Sequence, residues 1–267
     1  GAGAAWIYHR DNGDWIPQAK LLMPLVDMDF NDFSGFSVDI LGDDAIVGSQ
    51  GARGISQAAG ASYLFHRTGT NWTRVAKQQA TDGAINDSFG NAVDFSSNFI
   101  AVGAQADDDR GNNTGACYVF PRNGTNVGAH VKLIASDTVA GDFFGSSVSV
   151  EDDLLLVGAQ GDGDGGSFAG AAYVFTFDGT NWSEAAKLRA SNPAATAFFG
   201  RVVELREGRA IIGAPCINVS SLPGWVYIFE REGTNWVERA VLQGDDTVNG
   251  NEFGASLDHS GDRVIVG

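Results

Sequence analysis

Residues 143–175 read FFGSSVSVEDDLLLVGAQGDGDGGSFAGAAYVF, and this stretch decides the fold. It opens on a Phe-Gly step. An alternating segment follows, then an acidic turn at Glu151-Asp152-Asp153, then an apolar segment closing in Val157-Gly158-Ala159. A Gly- and Asp-rich loop leads to a third segment, Ala171-Ala-Tyr-Val-Phe175. Alternation with period two, broken by turn residues every few positions, is the pattern of short antiparallel strands; a helix would place apolar residues three and four apart over ten or more positions. The expected strands are about 145–150, 154–157, 171–176 and 182–190, with a tight hairpin turn at Glu151–Asp153 and an Asp-Gly turn at Asp178–Asn181.

The rest of the chain is made of copies of this unit. The Gly of the Phe-Gly step falls at Gly35, Gly90, Gly145, Gly200 and Gly254, spaced 55, 55, 55 and 54 residues apart. The Gly closing the second strand follows the same spacing at Gly48, Gly103, Gly158, Gly213 and Gly267. A third series, Gly3, Gly60, Gly115, Gly170 and Gly224, is followed three residues on by Trp6, Tyr63, Tyr118, Tyr173 and Tyr227. After the next turn comes Trp15, Trp72, Trp182 or Trp236, with Val127 the exception. Four strands per unit, repeated radially, predict an all-β chain: a β-propeller of four-stranded antiparallel blades. The chain starts at a third strand and finishes at a second. This predicts five repeats in a single domain over 1–267, with one blade split between the N- and C-termini. A piece of a larger ring is the competing arrangement. The opening GAGAAWIYHR is already repeat-like, so further sequence upstream is expected.

Composition narrows the function. Seventeen Lys and Arg against 33 Asp and Glu leave a net charge of −16, which disfavours nucleic acid or an anionic membrane as partner. No apolar run reaches the roughly 20 residues of a membrane helix, so direct membrane insertion is not expected. The two cysteines, Cys117 and Cys216, fall in different parts of their units and read as free thiols. His9 and His66 share a register, His130 and His259 do not, and all four read as surface strand residues with no zinc-like spacing. No nucleophile elbow, P-loop or dinucleotide fingerprint occurs, so an enzyme is not expected.

Phe-Gly-x-Ser-Val, then Val-Gly-Ala, then Gly-Ala-x-Tyr-Val-Phe with a following Trp and Lys-Leu, resembles the FG-GAP repeat across essentially the whole chain. The closest stretches are FFGSSVSV with LLLVGAQ and SFGNAVDF with IAVGAQ; Phe33-Ser34-Gly35 departs from the motif. That repeat builds the β-propeller head of integrin α chains and of many algal and bacterial surface proteins, and the 55-residue unit is more similar to the microbial and algal subclass. The resemblance implies an extracellular or cell-surface, non-catalytic scaffold or adhesion module, acting through propeller loops on protein or glycan ligands, within a larger assembly. A multivalent lectin using the repeated Trp is the second reading. Integrin-like repeats also carry calcium on a D-x-D-x-D-G loop after the second strand. The nearest residues here are Asp107 and Asp109 in one loop and Asp162 and Asp164 in another, neither a full match. The corresponding loops at 51–59 and 216–223 contain no acid.

Two acidic positions precede the Phe-Gly step: Asp27, Asp82, Asp137 and Asp246 with Asn192, and Asp32, Asp87 and Asp142. Both are expected to cap backbone N–H groups in the loops between blades, with ligand or cation contacts at a shared rim as the second reading. Glycosylation acceptors of the Asn-x-Ser/Thr form occur at Asn71, Asn86, Asn112, Asn123, Asn181 and Asn218.

Overall fold

The computed structural model describes residues 3–27, 32–217 and 222–267. Its described residues are all-β apart from one 3-10 turn at Leu25–Asp27. The N-terminal half-unit pairs β1 (Ala5–Asp11) with β2 (Asp14–Leu21). Unit 1 comprises β3 (Ser37–Leu41), β4 (Asp44–Ser49), β5 (Ala61–Thr68) and β6 (Asn71–Gln78). Unit 2 comprises β7 (Phe89–Phe95), β8 (Phe99–Ala104), β9 (Ala116–Asn123), β10 (Asn126–Val127) and β11 (Val131–Leu133). Unit 3 comprises β12 (Phe144–Glu151), β13 (Leu154–Ala159), β14 (Ala171–Phe177) and β15 (Trp182–Leu188). Unit 4 comprises β16 (Val202–Arg206), β17 (Arg209–Ala214), β18 (Trp225–Glu232) and β19 (Asn235–Leu242). The C-terminal half-unit pairs β20 (Leu257–Ser260) with β21 (Arg263–Val266). Every complete unit is an antiparallel meander in sequence order, as propeller blades are.

Unit 3 shows why these residues form these strands. Glu151 pairs with Leu154, so Asp152 and Asp153 make a two-residue hairpin, and Asp152 takes the positive φ of 49° such a turn needs. At the outer turn Asp178 Oδ1 accepts from Thr180 N at 2.8 Å and Asn181 N at 2.7 Å. Unit 2 departs from the rule because its outer strand is broken into β10 and β11. Val127 replaces Trp there, and Gly128 N donates to Pro121 O at 2.8 Å, turning the chain away from the ladder.

The repeated glycines account for how units stack. A Cβ on Gly158 would fall inside contact distance of Gly200 O and Ser147 Oγ, and one on Gly170 would strike Phe199 O. The same pairings link Gly103 to Gly145 and Gly115 to Phe144, and Gly48 to Gly90 and Gly60 to Phe89. Each Phe-Gly step is therefore gripped by two glycines of the preceding unit, where backbone meets backbone without a side chain between. The Phe so placed is fully buried: Phe144 meets Tyr173 and Phe175 edge-on at ring-centroid distances of 5.6 and 6.0 Å. Its cluster also takes in Cys117 and Val119 of unit 2, so the core lies between sheets and no sheet buries its faces alone. Both thiols are buried and free.

The innermost strands are also tied together. Asp39 Oδ2 accepts from Phe95 N at 3.3 Å, Asp94 Oδ2 from Val150 N at 2.6 Å and Ser149 Oγ from Leu205 N at 3.0 Å. These links keep one repeat offset from unit to unit.

At the ends, β1–β2 and β20–β21 stand as separate two-stranded sheets. The half-unit β1–β2 packs beside unit 1, and β20–β21 beside unit 4. The inner strand of unit 1 is consequently uncovered. Val38 and Ile40 are 57% and 55% exposed, whereas Val93, Phe95, Val148, Val150, Val203 and Leu205 at equivalent positions are all buried. A cleft of about 500 Å³ opens there, lined by Trp6, Ile7, Tyr8, Val38, Ile40 and Val47.

Candidate functional site

The loops after each second strand and the linkers before each Phe-Gly step meet on one rim. Backbone bonds join them: Asn86 N to Ala58 O at 3.1 Å, Gly141 N to Asn112 O at 3.0 Å and Thr196 N to Ser167 O at 2.8 Å. Asp87 and Asp142 cap this rim as expected, accepting from Ala84 N at 2.6 Å and Val139 N at 2.7 Å.

Asp27, Asp82 and Asp137 do something else. Capping is the first expectation and cation contact the second; each reaches the third and fourth strands of the following unit, where the cation is a lysine. Tyr118 OH lies 2.9 Å from both Asp82 Oδ1 and Asp107 Oδ2, its single proton shared between the two carboxylates. Lys132 Nζ then lies 2.9 Å from Asp82, 2.7 Å from Asp107 and 2.6 Å from Asp109. Unit 3 repeats this with Tyr173 and with Lys187 at 2.8, 2.7 and 2.7 Å from Asp137, Asp162 and Asp164. Unit 1 keeps Tyr63 and Lys77 on Asp27, with Arg53 O in place of the loop acids. In unit 4 both charges are absent: Tyr227 OH donates to Asn192 Oδ1 at 2.7 Å, and the residue paired with Tyr227 is Val241.

The electrostatics follow from this geometry. Burial opposes ionisation of Asp82 and Asp137, but hydrogen bonds from Lys and Tyr outweigh it and hold both below the ordinary carboxylate value. Burial likewise opposes the charge on Lys132 and Lys187, and the three carboxylates around each push its pKa up regardless. Tyr118 and Tyr173 are pushed up by burial and by the same acids, so their hydroxyls stay protonated and donate.

The structure thus brings Asp107 with Asp109, and Asp162 with Asp164, and adds to each pair a linker acid. Among the described residues, Asp82, Asp107 and Asp109 are the acids whose oxygens converge closely enough for a metal, within 4.8 Å of one another. Calcium needs six to eight oxygens. Here three carboxylates surround an ammonium instead. The lysine was missed as a partner in the sequence, although its signal is present: Lys accompanies a linker Asp and disappears where that position is Asn192.

The remaining expected positions divide. Asn71, Asn86, Asn112, Asn123 and Asn181 are exposed, and Asn218 lies outside the described residues. Trp72 donates to Gln18 Oε1 at 2.7 Å, and Trp182 packs on Phe99 and Phe177 at 5.0 and 5.3 Å, so these two work between units. Trp15 is 68% exposed. One histidine is not a surface residue: His259 is buried with neither ring nitrogen hydrogen-bonded, while His130 is half-buried and packs on Tyr118 and Phe120. No helix among the described residues is long and apolar enough to cross a membrane.

A second acidic group lines the inner strands, where Asp39, Asp94, Ser149 and Glu204 share one opening of about 200 Å³. Burial, reinforced by the charge of Asp39, pushes Asp94 well above the ordinary carboxylate range; burial pushes Glu204 up to about 7. A carboxyl with a raised folded-state pKa binds its proton more tightly folded than unfolded. Its contribution is complete below the ordinary carboxylate value and is lost as pH rises through the raised one. Asp94→Asn keeps an oxygen for Val150 N, gives up the bond that Asp94 Oδ1 accepts from Phe95 N at 2.9 Å, where Asp39 also accepts, and removes the titration. Its melting temperature at pH 8 should exceed that of the unmodified chain, by on the order of 1–2 kcal/mol in stability, and the difference should shrink at pH 5. Equal melting curves at both pH values would show that Asp94 does not titrate in this range.

An FG-GAP repeat profile matches residues 15–65, 72–120, 127–175 and 182–229. Each match runs from a fourth strand through the linker to the third strand of the next unit. No curated protein matches the chain.

Proposed function

The chain belongs to the FG-GAP repeat family, and from that premise we propose a non-catalytic protein–protein interaction module of the adhesion type, working at the cell surface or outside the cell. The observation that carries this reading is the rim. Its stitched loops expose Ile55, Ile85, Val139, Phe168 and Val248 along successive units, among acids that are paired in part with lysines of the same chain. Exposed apolar side chains on a rigid, polar-rimmed surface are what a protein partner covers. Glycans at the exposed acceptors Asn71, Asn86, Asn112, Asn123 and Asn181 are compatible with this, since most lie outside the apolar tips.

The same reading takes residues 1–267 as one propeller domain of five blades, the fifth built from β20–β21 and β1–β2. In complete units the Gly closing the second strand pairs with the residue two after the third-strand Gly: Gly48 with Ser62, Gly103 with Cys117, Gly158 with Ala172, Gly213 with Val226. The same rule pairs Gly267 with Ala5 and Ile265 with Ile7, and it fills the cleft beside Val38 and Ile40. Calcium belongs to this proposal in one form only: the loops of units 2 and 3 admit it when Lys132 or Lys187 is displaced.

The test is cross-linking of the chain to a cell-surface extract, with the sites of attachment mapped. Protein cross-links on the rim should fall at least tenfold in a variant combining Ile85→Lys, Val139→Lys and Phe168→Lys. Retention on a glycan array, unaffected by that variant and lost in Trp15→Ala, would replace this reading with the lectin one.

A further inference from the structure

Lys20 stands in the position of Lys77, Lys132 and Lys187, and its carboxylate is missing. It pairs with Trp6 across β1 and β2, as those lysines pair with Tyr63, Tyr118 and Tyr173. Its Nζ lies 5.5 Å from the centre of the Trp6 ring, as Lys132 and Lys187 lie 5.5 and 5.2 Å from theirs. In units 1 to 3 the acid on this lysine comes from the linker eight residues before the Phe-Gly glycine. In the split unit that residue is Asp246, eight before Gly254, which is exposed and makes no ion pair among the described residues. Unit 4 supplies the control: where the linker residue is Asn192 the lysine is Val241. Charge is kept on both sides or lost on both sides, and the split unit keeps both.

We infer that Asp246 and Lys20 form the ion pair that clasps the C-terminal hairpin β20–β21 into the cleft beside β1 and β3. The inference rests on the five-blade reading. A second offset agrees with it. Asp39, Asp94 and Ser149 each serve a backbone N–H of the next inner strand 56 residues on; the same position in the split unit is Asp258, and the N–H it would meet is that of Ile40. Ile40 N donates to the side chain of Asp39 at 2.7 Å, as Phe95 N donates to Asp94 at 2.9 Å while also meeting Asp39 of the preceding unit, so the local bond leaves room for the one from Asp258. Trp6 carries an indole N–H, a donor, where units 1 to 3 carry a tyrosine hydroxyl. The occupant of the cleft is thus specified by charge and register as well as by apolar surface.

The experiment places cysteines at Ile7 and Ile265, which the register sets opposite one another, and follows disulfide formation in the full chain under mild oxidation. Intramolecular disulfide should form readily. Lys20→Asp or Asp246→Lys alone should slow it about fivefold, the size expected for a partly exposed ion pair, and the double charge reversal should restore the rate. Circular dichroism of each variant confirms that both surface changes leave the sheets intact. An intramolecular disulfide that forms equally fast in all variants overturns the clasp and leaves the five-blade ring standing. A disulfide that forms only between two copies overturns the ring itself, because the hairpin then docks on a neighbour.

Discussion

Gly158→Ala is expected to cost about 3 kcal/mol, a large fraction of the stability of a folded domain. Gly158 closes a buried second strand, and its φ is ordinary, so backbone freedom is not the issue. The obstacle is space. The added Cβ would overlap Gly200 O and Ser147 Oγ, and Ser147 Oγ already donates to Gly200 O at 2.7 Å. To admit the methyl, the Phe-Gly step of unit 4 must move outward, taking Phe199 with it. Phe199 is fully buried against Tyr227 and Phe229 at 5.2 and 6.2 Å, so a shift opens voids in the next interface. Gly163→Ala is the matched control: it lies in the same unit, and nothing would lie near its Cβ. Denaturant titration of the two variants checks this. A Gly158→Ala midpoint within error of the control would mean that successive units stack more loosely than the structure shows.

Lys187→Met should cost about 2 kcal/mol at neutral pH, and added calcium should return part of it. The lysine stem is well buried and Asp162 almost wholly so, while Asp137 and Asp164 are about half exposed. Removing the ammonium leaves one buried and two partly screened carboxylates repelling one another, less than the 3–5 kcal/mol of a fully buried pair because solvent screens the outer two. Methionine keeps the packing of the stem against Tyr173, so the loss reports charge. The signs define the window. Asp137, held below its ordinary value of 3.8, contributes above that pH and loses its contribution as pH falls through the depressed value. Lys187, raised above its ordinary 10.5, contributes fully below that pH and is lost only above it. The gap between Lys187→Met and the unmodified chain should therefore be widest between these limits and should narrow as pH falls below the ordinary carboxylate value of 3.8. Millimolar calcium should raise the melting temperature of the variant and leave the unmodified chain unchanged. Stabilisation of both by calcium to the same extent would show that the lysine does not hold the cation position.

Much of this was legible in the residues. Strand positions in units 1, 3 and 4 followed from period-two alternation between turn residues, and the glycine spacing marked the unit. The outer strand of unit 2 was less legible, because its break at Gly128 depends on a contact with Pro121 that no local pattern announces. Asp82 and Asp137 were read as caps because Asp next to a turn usually bonds the nearest N–H. Their actual partners lie 36 and 50 residues away in sequence. His259 stands outside the histidine register and reads as a surface strand residue. It is buried because the neighbouring unit covers that face.

By itself the sequence determined the unit: its length, its strands, its turns and the glycines that must lie where backbones touch. These are local properties, carried by side-chain period, by φ at turns and by the absence of a Cβ. Only the tertiary structure decided that the acidic loops enclose lysines of the same unit, that two tryptophans serve packing, and that the inner strand of unit 1 lies open. Those outcomes depend on which surfaces meet when one unit is stacked on the next, and a linear pattern does not carry the distance between a linker carboxylate and an ammonium 50 residues further on.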